Sequence, residues 1–160
     1  MDIRVRHVKM ITNLAGVVWK KLPWIVRWRI IRITQSKFTV SAAAIITNSE
    51  HEVLLLNHVI RPRSGWGLPG GFLKHGEQPD HGIRREIKEE TGIEMNNLRM
   101  FRVRTLGTHV EILFTADTIG TPKVKSREIK ELGWFAGGKM PEKMNSAQKF
   151  LIEQVLNGDV

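Results

Sequence analysis

Glu86, Glu89 and Glu90 stand at i, i+3 and i+4 in the segment PDHGIRREIKEET. If that segment is helical, the three carboxylates share one stripe roughly 100° wide. Like charges so placed repel, and each pair weakens a bare helix by a few tenths of a kcal/mol. A divalent cation reverses the sign, because carboxylate oxygens are the ligands a hard cation takes. Ile83 and Ile87 lie to one side of the stripe, where they can seat the helix on a sheet. Arg84 and Lys88 lie away from it and can face solvent. A solvated acidic face is the alternative for such a cluster taken alone. The preceding loop favours the cation. Gly70-Gly71, after Leu68-Pro69, lets the backbone approach the carboxylates and offer a carbonyl oxygen. Glu77, just before the helix, is placed either to favour the helix N-terminus or to face the same cation.

Other polar residues flank this cluster. A tryptophan can stack on a base and arginines can pair with phosphates, which makes Trp66, Arg61 and Arg63 candidate substrate contacts. A core tryptophan and solvated arginines are the competing reading. Glu111, in HVEILF, can line a cleft from a strand or be a surface charge. His58, His75, His81 and His109 have no metal-ligand spacing among themselves and read as structural or surface residues.

The elements that must position these residues follow from the pattern. FTVSAAAIIT (38–47) and EVLLLNHVI (52–60) read as strands joined through NSEH, a hairpin. RPRSGWGLPGG is dense in Gly and Pro and reads as a loop. Residues 79–91 read as a helix, with Pro79 at its start and Gly92 just past its end. LRMFRVRTL, HVEILFTADT and ELGWFA are further strand candidates, and PEKMNSAQKFLIEQVL reads as a closing helix. Strands interrupted by one helix and closed by another make an α/β or α+β sandwich.

The chain has 160 residues, no cysteine and no tyrosine. That length supports one core domain plus an extension. Without cysteine there is no disulfide framework, thiol nucleophile or Cys-zinc site. No run approaches the roughly 18 apolar residues of a membrane span, and no secretory signal is read, so a cytoplasmic protein is expected. The net charge of +9 is concentrated at the front, where residues 1–37 hold nine Lys/Arg and one acid, Asp2. The other 123 residues hold 16 Lys/Arg and 15 Asp/Glu. A boundary is expected there: a basic, Trp/Arg-rich extension over 1–37 and a domain over 38–160 that carries the acidic cluster. In the extension, Pro23 can open a short helix with Trp24, Trp28 and Ile31 at i, i+4 and i+7, and an extended Ile30–Thr34 is the alternative.

From Gly71 the chain reads glycine, five residues, Glu77, seven residues, Arg85-Glu86-Ile87, one residue, Glu89-Glu90, one residue, Gly92-Ile93. This resembles the Nudix box of the Nudix hydrolases at every specified position, over 23 residues. The strand–loop–GG approach before it and the strand–helix order after it extend the resemblance over about 38–158; the front segment is outside it. The resemblance implies a Nudix-type α/β/α sandwich around a mixed β-sheet. It also implies metal-dependent hydrolysis of a nucleoside diphosphate linked to another moiety, with Mg²⁺ or Mn²⁺. Carried over by position, Glu86 and Glu90 look like principal metal ligands. Glu89 looks like a further ligand or a base, and Gly70 like a carbonyl ligand. Arg85 is expected to pair with Glu77 and orient the carboxylates. A base from a later loop is also known in the family, and Glu128 is the candidate here, with Glu131 second.

Marks of the family's substrate classes are mostly missing. His109 stands where ADP-ribose hydrolases often carry proline. The chain lacks the tyrosine of dinucleoside polyphosphate hydrolases, and the motifs of coenzyme A and NADH hydrolases. Left open are a nucleoside triphosphate, a nucleoside diphosphate linked to an alcohol or sugar, and the 5′ end of an RNA. Small nucleotides rank first because the body carrying the site is near neutral. A non-catalytic nucleotide-binding module is the reading from another class. For residues 1–37 three readings stand: an arm packed on the sheet or across a homodimer, a peripheral contact with a membrane surface, and a nucleic-acid contact.

Overall fold

The helix that carries the acidic stripe needs a sheet to sit on, and the sheet is built around one central strand. In the computed structural model, which describes residues 15–61 and 64–158, β1 (Thr39–Thr47) runs parallel to β6 (His109–Asp117) over its whole length. On its other edge it pairs antiparallel with β4 (Gly70–Phe72) at Ser41–Ala43 and with β2 (Val53–His58) at Thr47. β2 pairs with β7 (Ile129–Phe135) and with the two-residue β3 (Trp66–Gly67); β5 (Asn96–Leu106) closes the far edge against β6. Among the described residues this makes one mixed sheet of seven strands.

The apolar runs of β1 and β2 reflect burial on both faces. Ala42, Ala44, Ile46, Leu54 and Leu56 face one core, shared with Ile83 and Ile87 of the helix Pro79–Thr91. Ala43, Ile45, Val53 and Leu55 face the other, shared with Leu151 and Ile152 of the helix Ser146–Leu156. The helices thus lie on opposite faces, giving an α/β/α sandwich of the Nudix type. Ile83 and Ile87 are fully buried, each contributing about 1.5–3 kcal/mol, and this offsets the repulsion along the acidic stripe.

Chain division falls between Lys37 and Phe38, giving the units Met1–Lys37 and Phe38–Val160. In the first, residues 15–21 are helical and Pro23 caps α1 (Trp24–Thr34). α1 includes Ile30–Thr34, so the extended alternative is not adopted: Gln35 N–H donates to Ile31 O at 2.9 Å and Thr34 Oγ1 to Ile30 O at 2.9 Å. Residues 1–14 lie outside the described residues. Among the described residues no helix is long and apolar enough to cross a membrane. The helices of the second unit are α2 (Pro79–Thr91) and α3 (Ser146–Leu156).

Four expectations are corrected by the structure. The β1–β2 hairpin registers only at its closing rung, Thr47↔Val53. Beyond it the strands part, and the Gly/Pro loop is drawn into the gap as β3 and β4. Val59 and Ile60 lie past the end of β2. The closing helix starts at Ser146 rather than 141: Pro141–Met144 forms a turn, and Asn145 Oδ1 accepts from the N–H groups of Ala147 and Gln148 at 2.9 and 3.3 Å.

Candidate metal and active site

The end of α2, the β4 glycines and the loop before β7 enclose a cavity of about 680 Å³, within the range of ligand clefts. Gly70, Arg85, Glu86, Glu89, Glu90, Glu111, Glu128 and Arg61 all line it. Backbone conformation makes this approach possible. Gly70 has φ 141°, and a Cβ there would stand 2.2 Å from Ala42 O. Its N–H donates to Glu90 Oε2 at 3.3 Å, so Gly70 meets Glu90 through its nitrogen. A Cβ on Gly71 would lie 2.6–2.8 Å from the Glu86 carboxylate.

Arg85 organises the acids. Its Nε and Nη2 donate to the two oxygens of Glu77 at 2.7 and 2.9 Å. Its Nη1 donates to Glu86 at 2.7 Å and to Glu89 at 3.2 Å. This arginine holds the Glu77 carboxyl down at about 2, with the Lys74 N–H assisting. The carboxylates in turn raise Arg85 above the ordinary guanidinium range. Glu90 differs. It is 6% exposed, and burial pushes its carboxyl up to about 7, with repulsion from Glu86 and Glu128 adding to the effect. Burial and the neighbouring Arg61 hold His58 near 4, so its imidazole is neutral.

No three His, Asp or Glu side chains among the described residues are already gathered closely enough to enclose a metal ion. The donor set nonetheless fits a hard dication. It is made of oxygens, and Glu90, its buried member, has its proton affinity raised by burial and makes no ion pair with a lysine or arginine among the described residues. Arg85 engages one oxygen of Glu86 and leaves the other. Replacing Gly71 with alanine is expected to push the Glu86 carboxylate aside while the fold survives, because the clash is with the end of a side chain. Mn²⁺ affinity of the variant, measured beside its melting curve, is expected to drop about tenfold or more with little change in melting temperature.

Two described candidates, Trp66 and Glu131, do not line this cavity. Trp66 packs edge-on against Phe135 at 5.1 Å and lines an adjoining cavity of about 510 Å³, which shares Arg61, Glu111 and Gln148 with the first. Arg63 lies outside the described residues. Glu131 accepts from Asn57 Nδ2 at 2.7 Å and does not line either cavity. Glu111 is buried and paired with Arg104, and Arg61 donates to Leu68 O at 2.9 Å. Arg84 is exposed, as expected, and its Nη1 donates to Met95 O at 2.8 Å.

The sequence reading missed His58 and Ser41, which both line the larger cavity. Ser41 Oγ is 2.9 Å from His109 Nε2, and Thr39 Oγ1 is 2.8 Å from Nδ1 of the same ring. The available signal was alternation: Thr39 and Ser41 share a face of β1, and His109 and Glu111 share the matching face of the parallel β6.

The helix-flanked mixed sheet and carboxylate-lined cleft go together with a match of the NUDIX domain to residues 37–155. The chain belongs to the NUDIX family and is a hydrolase acting on pyrophosphate bonds. It is 27% identical over 122 residues to the MutT-like protein of Streptomyces ambofaciens, covering 75% of this chain and 78% of that one. It is 31% identical over 118 residues to the NAD-capped RNA hydrolase NudC of Vibrio vulnificus, covering 70% of this chain and 45% of that one, so it spans less than half of that relative. The solved MutT NUDIX hydrolase from Burkholderia pseudomallei is 30% identical with TM-score 0.66, covering 74% of this chain and 98% of that chain. Other relatives carry the names ADP-ribose pyrophosphatase (Methanocaldococcus jannaschii) and 8-oxo-dGDP phosphatase (Mus musculus). No single substrate is common to these names.

Proposed function

We propose that this chain is a divalent-metal-dependent pyrophosphohydrolase that cleaves a nucleoside diphosphate linked to a further moiety, by water attack on phosphorus. The observation that carries this reading is the convergence of Glu86, Glu89, Glu90 and Glu128, with Arg61 and Arg85, on one cavity. Such acids are of little use to an anionic substrate unless a cation stands between them. Glu86 and Glu90 would hold it, with Glu89 and the Gly70 carbonyl as further oxygens, and Mg²⁺ suits the all-oxygen set. When bound, the ion supplies charge neutralisation to the diphosphate and makes water more acidic.

The chain's own residues do the rest. Glu77 and Arg85 form a two-pronged pair that keeps Glu86 and Glu89 from splaying, so little reordering remains when substrate arrives. Glu128, at the cavity lip, takes the proton from the attacking water. It suits that task better than Glu89, because no cation among the described residues pairs with it, whereas Glu89 is tied to Arg85. Arg61, between Glu90 and Glu111, pairs with a phosphate oxygen. The adjoining cavity gives the nucleoside or its partner moiety room beside the diphosphate, with Trp66 on its wall.

Small nucleotides are favoured over RNA because the domain that carries the site is close to neutral. The test is a panel of ADP-ribose, 8-oxo-dGDP, a dinucleoside polyphosphate and an NAD-capped RNA oligomer. Each is incubated with Mg²⁺ in ¹⁸O-labelled water, and products are identified by mass. The expected result is cleavage of one or more of the small compounds ahead of the RNA, the label on a single phosphate, and loss of turnover with chelator. No cleavage of any compound, or cleavage untouched by chelator, would remove this reading.

A further inference from the structure

His58 is a polar side chain at the cavity to which the reaction above gives no role. It ends β2 where the ladder with β7 slips: Asn57 faces Glu131, but His58 faces Ile129, so Lys130 is left over as a bulge. Bulges bend the pairing and re-aim side chains. This one is pinned by backbone bonds of 2.8 Å, His58 N–H to Gly65 O and Val59 N–H to Glu128 O. The imidazole lines the cavity, with its side chain 11% exposed and its Nδ1 3.9 Å from Glu90 Oε1. Nε2 is buried with no hydrogen-bond partner among the described residues. A buried N–H without a partner is rarer in proteins than an under-used acceptor. The orphan nitrogen is therefore the bare acceptor, and the hydrogen sits on Nδ1, the nitrogen that faces Glu90.

We infer that His58 is a positioning residue, whose Nδ1–H is directed at Oε1 of Glu90 while the Gly70 N–H holds Oε2, so that the two together fix the plane of that carboxylate in the cavity. The inference rests on the reading of Glu90 as a carboxylate that holds the cation. A carboxylate tethered at one oxygen turns about its terminal torsion, which is broad. One approached at both oxygens keeps the orientation a cation needs. At 3.9 Å the pair is beyond hydrogen-bond length, and a shift of about 1 Å closes it.

The amide of asparagine reproduces a donor at the Nδ1 position, that of glutamine one at the Nε2 position, and phenylalanine keeps the ring without either nitrogen. In the full chain without nucleotide, Mn²⁺ affinity read by electron paramagnetic resonance is expected to fall about tenfold or more in His58→Gln and His58→Phe, and to stay within about threefold in His58→Asn. Wild-type affinity in His58→Gln and His58→Phe would overturn the inference. So would an asparagine variant that binds no better than the glutamine one, or a loss in asparagine that phenylalanine spares, since packing would then explain it. Glu90→Gln separates the two levels. Undiminished Mn²⁺ binding there removes the reading beneath, whereas lost binding there with normal binding in His58→Gln removes only the role of His58.

Discussion

Exchanging Glu90 for glutamine is expected to abolish most turnover and yet to stabilise the metal-free protein at alkaline pH. Charge stabilisation by a bound metal ion is worth several kcal/mol, so kcat should fall about a hundredfold or more. Stability moves the other way because burial raises this carboxyl from its ordinary value of 4.5 to about 7. Between those values the native state holds a proton that the unfolded state has released. Stability from this group is therefore full below about pH 4.5 and is lost as pH rises through 7, by about 3 kcal/mol at 1.36 kcal/mol per unit. His58 works in the opposite sense. Its value falls from 6.5 to about 4, so the unfolded chain binds the extra proton, and stability rises with pH across that window. In the wild type the two slopes overlap and largely cancel. Glutamine at position 90 removes one of them. Urea midpoints in chelator at pH 5 and pH 8 should then rise with pH in the variant while the wild type stays flatter. Full activity in the variant would show that the side chain does not hold the ion, and a pH slope equal to that of the wild type would show that it does not titrate from a buried position.

How far the sequence could be read depended on the distance over which each feature is encoded. α2 is local: Pro79 starts it, Gly92 ends it with φ 76°, and the observed bounds are those the punctuation predicts. The acidic stripe and the Glu77–Arg85 pair are local too, eight residues apart at most. The parallel ladder of β1 with β6 joins Thr39 to His109, and nothing in either strand's own pattern names its partner. β3 and β4 have two and three residues, too short for any periodicity, and exist because β1 and β2 diverge around them. Trp66 reads as a stacking residue by type, but its place is set by Phe135 from a strand far along the chain. His58 has no signal at all in one sequence, because a bulge in the β7 partner re-aims it.

Arg85 gives the second large effect, and lysine is the informative replacement. The guanidinium spends three nitrogens on three carboxylates at once: two on Glu77, and the third on both Glu86 and Glu89. Lysine keeps the charge but has a compact ammonium that cannot span that fork. If Arg85 acted only as a counter-charge, Arg85→Lys would keep most activity. Because it acts by geometry, kcat is expected to drop about ten- to a hundredfold in Arg85→Lys, nearly as far as in Arg85→Ala. Substrate KM should change less, since Arg85 orients acids rather than gripping the nucleotide. The same geometry fixes the acid limb. Arg85 holds Glu77 at about 2, well below its ordinary 4.5. The pair's contribution to stability is therefore present above about pH 4.5 and lost as pH falls through 2. Glu77→Gln should lose that acid-limb contribution and share the loss in kcat, because its amide accepts at one atom where the carboxylate accepts at two. Near-wild-type kcat in Arg85→Lys would reduce the arginine to a charge, and the orientation argument for Glu86 and Glu89 would go with it.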